Sequence, residues 1–270
     1  MNCRRAVSYL LPLLLAMSLN ACVSIPKILY DTSQTRPLSL TLKDGTVQRY
    51  MEYVPPSARP GKKLPLIVFL HGSGEAGDDT YAVLANGPWH YADSHPDFPF
   101  IILAPQEDHD AEWSPEELND WLVQAEKTVP VDRRRVYLTG LSRGGQGTWD
   151  FAMRYPQHFA AIAPVSGYSD VNQPCRLKGV AVWAFHGADD GIVPIGKEKA
   201  VVAAAKACGV DIHYTIYPGV GHFIWERTYN DPDLYSWFLE HRRPLFRLPG
   251  LTHLSGFARL HELRRAPSGG

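Results

Sequence analysis

Net charge is almost missing from this chain. Its 27 Lys and Arg face 28 Asp and Glu among 270 residues, a formal balance of −1. A nucleic-acid-binding domain normally carries a clustered basic excess, so that class is set aside. Cysteine is scarce as well, with 4 in the chain, and none has metal-ligand spacing. No metal site and no organic cofactor are expected. Internal repeats and inter-domain linkers are also lacking, which leaves one large domain as the economical organisation. What remains is an ordinary globular composition, 45% apolar, 20% charged and 11% aromatic.

The N-terminal segment is a different material. Arg4 and Arg5 precede an uncharged run from Ala6 to Leu19, interrupted by Pro12. That run is shorter than the roughly 20 residues a membrane-spanning helix needs. A basic start, a short apolar stretch and a small-residue site describe an export signal. Leu19-Asn20-Ala21-Cys22 resembles a bacterial lipobox, with Asn20 departing from the usual small residue. On this reading residues 1–21 are a lipoprotein-type signal, Cys22 carries lipid, and the protein is anchored to a bacterial membrane on its exported side. Simple secretion is the alternative. Cys3 leaves with the signal, so Cys175 and Cys208 remain, either as a disulfide formed in an oxidising compartment or as two free thiols.

Residues 22–37 read as a tether, 38–243 as the folded domain and 244–270 as a loosely ordered basic tail, with a weak apolar pattern at Leu251, Leu254, Phe257, Leu260 and Leu263. Within the domain, LSLTLKDGTVQRYMEYVP predicts an antiparallel hairpin turning at Asp44-Gly45. Continuous apolar runs follow at 64–70, 98–105, 135–140, 159–166, 180–187 and 211–219. Such runs suit strands covered on both faces. Helices are predicted from Ser114-Pro115, where Glu117 completes a capping box, and over about 143–155, 195–208 and 230–241. Alternating strand and helix gives an α/β fold with a mostly parallel sheet and helices on both faces. Reactive groups in such folds gather at the carboxyl ends of the strands.

The candidate chemistry sits at those ends. VYLTGLSRGGQG (136–147) places Ser142 between a strand and a helix, with Gly140 and Gly144 around it. By itself this is equally a nucleophile elbow or a serine N-cap in a glycine turn. A serine hydroxyl needs a base, and His222 in YPGVGHFIWE lies beyond a strand and before the last helix. An acid is expected between them in chain order. VWAFHGADDGIVP offers Asp190 by its H-G-x-x-D-x-x-V-P spacing, with Asp189 as the alternative. The HGSG turn after LPLIVFL supplies the Ser73 backbone N–H as an oxyanion donor, paired with that of Arg143. Trp89, Trp113, Trp149 and Trp225 are candidates for an apolar substrate pocket, with core packing as the plainer role for at least two.

The chain resembles the α/β-hydrolase superfamily, and within it the bacterial predicted-peptidase group allied to phospholipase/carboxylesterase, dienelactone hydrolase and feruloyl-esterase-like enzymes. The segments that carry the resemblance are YMEYVPP, LPLIVFLHGSGEAGDD, LANGP, FPFIILAPQ, VDRRRVYLTGLSRGGQGTWDFAMRYPQHFAAIAPVSG, VWAFHGADDGIVP and YPGVGHFIWERTYNDPDLYSWFLEHRR, spanning about 38–243. The resemblance implies a catalytic set of Ser142, Asp190 and His222 acting on small ester substrates. Arg143 stands where that group usually has Met, and Gln146 where an aromatic is common. Two rivals stay open: a serine peptidase with the same triad, and a non-catalytic surface lipoprotein using the fold for binding.

Overall fold

Alternate residues of one strand line the two faces of a sheet, and the strand Leu64–Leu70 is buried at all seven positions. Leu66, Val68 and Leu70 join an aliphatic core shared with Trp121, Leu122, Trp149 and Val201. Phe69 points the other way, edge-on to Trp89 and Tyr229. Both faces of the sheet are therefore covered, as the continuous apolar run requires.

The computed structural model describes residues 34–109, 111–169 and 173–244. The signal segment, Cys22, the first part of the tether and the tail from 245 lie outside them. Eight strands are described, β1 (Thr35–Thr41), β2 (Val47–Tyr53), β3 (Leu64–Leu70), β4 (Ile101–Pro105), β5 (Val131–Leu141), β6 (Ala161–Val165), β7 (Ala181–Gly187) and β8 (Ile212–Tyr217). They form one sheet in the order β1-β2-β4-β3-β5-β6-β7-β8. β2 pairs antiparallel with β1 and β4, and the remaining pairings are parallel. Six α-helices are described, α1 (Trp89–Ser94), α2 (Pro115–Ala125), α3 (Arg143–Arg154), α4 (Ile195–Ala207), α5 (Trp225–Tyr229) and α6 (Pro232–Glu240). Among the described residues no helix is long and apolar enough to cross a membrane.

Several boundaries differ from the sequence expectation for local reasons. β1 begins at Thr35, inside the segment read as tether, because its full length pairs with β2. The hairpin closes through Gly45, at φ 93°, whose N–H donates to the Leu42 carbonyl. β4 starts at Ile101 rather than 98: Pro99 lacks an N–H, and Phe98 and Phe100 instead pack on Tyr235. The helix predicted over 230–241 is α6, and a short helix not predicted, α5, precedes it and ends at Asn230; the Asp231 side chain caps α6 by accepting from the Asp233 N–H. α2 starts as predicted, with the Ser114 hydroxyl accepting from the Glu117 N–H at 3.3 Å.

Cys175 and Cys208 form a disulfide with Cα atoms 5.1 Å apart. It ties the end of α4 to the turn before β7. Closing a loop of 33 residues restricts the unfolded chain by about 3–4 kcal/mol in the chain-entropy account. The Cys175→Ser/Cys208→Ser protein should accordingly lose about 2–4 kcal/mol in urea unfolding at neutral pH. An unfolding midpoint equal to that of the oxidised wild type would contradict this.

Candidate active site

Ser142 closes β5 and opens α3 with φ 54° and ψ −117°. This conformation is sparsely populated for a residue with a side chain and typically costs about 1–3 kcal/mol. Contacts around it hold the turn. The Ser142 N–H donates to Val165 O at 2.9 Å, and the Ser142 carbonyl accepts from Gln146 N at 3.0 Å. The turn is possible because glycines let three backbones meet. A Cβ on Gly144 would overlap the Leu70 carbonyl oxygen and lie 2.6 Å from that of His71, and a Cβ on Gly145 would lie 2.5 Å from Val165 O.

The loops that follow β7 and β8 reach the same point. His222 places Nε2 2.9 Å from Ser142 Oγ and Nδ1 2.7 Å from Asp190 Oδ2. These partners select the tautomer with the proton on Nδ1, donating to the carboxylate while Nε2 accepts from the hydroxyl. Asp190 is fixed in turn, because its Oδ1 accepts from the Ile192 and Val193 N–H groups at 2.9 and 2.8 Å. Asp189 is exposed, so the position chosen by spacing is the one that faces the histidine. The Ser166 hydroxyl, buried on the turn after β6, donates to His222 O at 2.9 Å and anchors the histidine backbone.

Ser73 and Arg143 are each the first residue of a helical turn, where the N–H has no acceptor within its own helix. The Ser73 loop is held by buried side chains. Glu75 accepts from the Gly72 N–H at 3.0 Å and from the Asn86 amide. His71 donates from Nδ1 to Gly72 O at 2.7 Å and accepts at Nε2 from the Glu107 N–H at 3.0 Å. Burial depresses the His71 pKa to about 4, with the Arg143 charge adding to it, so the ring stays neutral and keeps this donor–acceptor arrangement. Across a planar trans peptide, C=O and N–H point in opposite directions. Holding the Gly72 carbonyl therefore fixes the direction of the Ser73 N–H. The Arg143 side chain donates to His109 O at 3.1 Å, while its Nε and Nη2 have no hydrogen-bond partner among the described residues. Burial and nearby Glu117 and Asp108 raise Glu107 to about 7, against the opposing pull of Arg143.

The four tryptophans divide. Trp225 is partly exposed with its ring 5.4 Å from His222, beside Phe223, which is 72% exposed. Trp89 and Trp149 are not pocket residues. Trp89 is buried and donates to Val83 O, and Trp149 is buried and donates to Glu198 Oε1. Trp113 is buried against His71 and donates to His71 O, so it supports the loop. Among the described residues no group of three or more His, Cys, Asp or Glu is placed to hold a metal ion. Sequence reasoning missed Glu75, Glu107, Ser166, His186 and Glu198, and gave the His71 side chain no role of its own. The signal available for His71 was the HG pair at the end of an apolar strand.

The eight-stranded sheet with its serine turn defines the class, an α/β-hydrolase fold, and the chain is similar to the carboxylesterase and dienelactone hydrolase group. The phospholipase/carboxylesterase family model matches residues 102–233. Carboxylesterase SOBER1 of Arabidopsis thaliana is 26% identical over 192 residues, covering 58% of this chain and 83% of that protein. The bifunctional acetylxylan esterase/xylanase XynS20E of Neocallimastix patriciarum is 28% identical, over 52% of this chain and 21% of that protein. Among solved structures, a thermostable esterase superposes with a TM-score of 0.69 at 30% identity, covering 78% of this chain and 64% of its own. The feruloyl esterase module from Clostridium thermocellum superposes at 0.61 with 16% identity, a likeness of fold.

The glycine contacts give a paired test. Gly144→Ala should destabilise by about 3 kcal/mol or more, since backbone atoms must move. Gly196→Ala, in open space within α4, should be neutral or stabilise by up to about 1 kcal/mol. Equal unfolding midpoints for the two variants would contradict the close-packed turn.

Proposed function

We propose that the protein is a serine esterase working through an acyl-enzyme. The observation that carries this reading is the continuous relay from Ser142 Oγ through His222 to Asp190, at 2.9 and 2.7 Å. His222 Nε2 takes the serine proton as Oγ attacks the ester carbonyl, and Asp190 stabilises the imidazolium that forms. The Ser73 and Arg143 N–H groups receive the developing oxyanion. Each such donor is typically worth about 10²–10³ in rate. The imidazolium then returns the proton to the leaving alcohol, and water activated by the same histidine releases the acid. The relatives named as esterases support the reaction class.

The exposed Phe223 and the partly exposed Trp225 beside His222 favour substrates with an apolar group. The Cys175–Cys208 disulfide suits a chain that matures in an oxidising compartment, the setting implied by the signal-like N-terminus and Cys22. Membrane anchoring through Cys22 belongs to the same proposal.

The test is hydrolysis of acyl esters of increasing length, hydroxycinnamoyl esters and short peptides. Wild type should cleave esters, and Ser142→Ala should lose about 10⁴-fold or more in kcat/KM. A Ser142→Ala protein as active as wild type would overturn the mechanism, and peptides cleaved in preference to every ester would overturn the substrate class.

A further inference from the structure

Beside Asp190, at the same carboxylate oxygen that His222 contacts, lies a second buried imidazole. His186, near the end of β7, is fully buried together with Glu198 of α4. Its Nδ1 is 2.6 Å from Glu198 Oε2, and its Nε2 is 2.8 Å from Val193 O and 3.2 Å from Asp190 Oδ2. Both ring nitrogens thus face oxygen acceptors. The other Glu198 oxygen accepts from Trp149 Nε1 of α3 at 3.0 Å. Proton bookkeeping follows from this geometry. One proton is shared along the Nδ1–Oε2 contact, and Nε2 must carry its own, because a bare nitrogen there would face two oxygens with nothing to donate.

We propose that His186 is a positioning residue for Asp190. It ties down the Asp190–Val193 loop through the Val193 carbonyl and sets a positively polarised N–H beside the carboxylate oxygen that His222 uses. This inference rests on the assignment of Asp190, His222 and Ser142 given above.

The surroundings are consistent with a cationic His186. Burial alone would push its pKa down, but the Glu198 hydrogen bond and charge, the Val193 carbonyl and the Asp190 charge outweigh it and the pKa is raised. Burial raises Glu198 too, opposed by His186, Trp149 and Tyr214, which keeps the shared proton within the pair. The groups facing the pair are Asp190 and Val193 from the loop, Trp149 from α3, and Tyr214 from β8, whose phenol burial holds protonated. Asp190 Oδ2 then serves two imidazoles, His222 at 2.7 Å and His186 at 3.2 Å. Positive charge on His186 draws on that same oxygen, so His222 feels less of its negative charge. Without that charge, the full Asp190 charge would act on His222, and Ser142 would become reactive only at higher pH.

The experiment follows the rate at which a fluorophosphonate inactivates Ser142 across pH, a readout that assumes no natural substrate. Glu198→Gln keeps the shape of the pair, since its amide donates to His186 and its carbonyl accepts from Trp149, but it cannot charge the ring. The acidic limb of its profile should move to higher pH, with a plateau rate lower by about tenfold. His186→Phe/Glu198→Leu removes the pair without orphaning a buried carboxyl, and should shift the limb the same way. A limb that stays in place, whether or not the plateau falls, overturns the inference and leaves the pair as a structural bridge. Wild type unlabelled at Ser142 would instead overturn the proposed function, and this inference with it.

Discussion

The structure depends on one close approach, the passage of Gly144 against the Leu70 and His71 carbonyls where α3 leaves β5. Ser142 can hold its strained φ of 54° only because the neighbouring strands β3 and β6 press on the turn from both sides. That pressure aligns three strand ends. β3 brings the Ser73 N–H, β5 the serine, and β6 the Ser166 hydroxyl that fixes His222. β7 and β8 add Asp190 and His222 beyond them, with Gly187 pressed on the Gly221 carbonyl so that the two loops meet.

Polar groups buried around this point act mainly as scaffolding. His71, Glu75 and Glu107 hold the Ser73 loop, and His186, Glu198 and Trp149 stand behind Asp190. Buried polar groups are costly unless paired, and the side chains of His71, Glu75, His186, Glu198 and Trp149 each have a partner at hydrogen-bond distance. In the proposed mechanism, pre-set donors and acceptors of this kind let charge develop at the serine without reorganising the surroundings. The disulfide serves the same end at longer range, since it fastens the helix that carries Glu198.

Much of this was legible in the sequence. Continuous apolar runs marked the parallel strands β3 to β7, while the run at 211–219 marked β8, which is only partly buried rather than covered on both faces; chain order singled out His222 among 11 histidines. Spacing chose Asp190 over Asp189. What stayed hidden was the role of residues whose type suggests something else. Glu198 sits in IGKEKAVVAAAKA and reads as a solvated charge, yet with Val201, Val202 and Ala205 it forms the buried i, i+3, i+4, i+7 stripe of α4. That stripe was the available signal. The tryptophans stayed open between core and pocket, because a large aromatic near a catalytic motif is as useful to one as to the other, and only packing separates the two.

The central claim is that Ser142 Oγ becomes covalently acylated and that His222 both creates and resolves the bond. Rapid acid quenching during turnover of a slowly hydrolysed ester, followed by peptide mass spectrometry, tests it most directly. The account predicts a transient acyl mass on the peptide containing Ser142, decaying as product appears. Turnover with no adduct on that peptide, or with the acyl group on another residue, would contradict it.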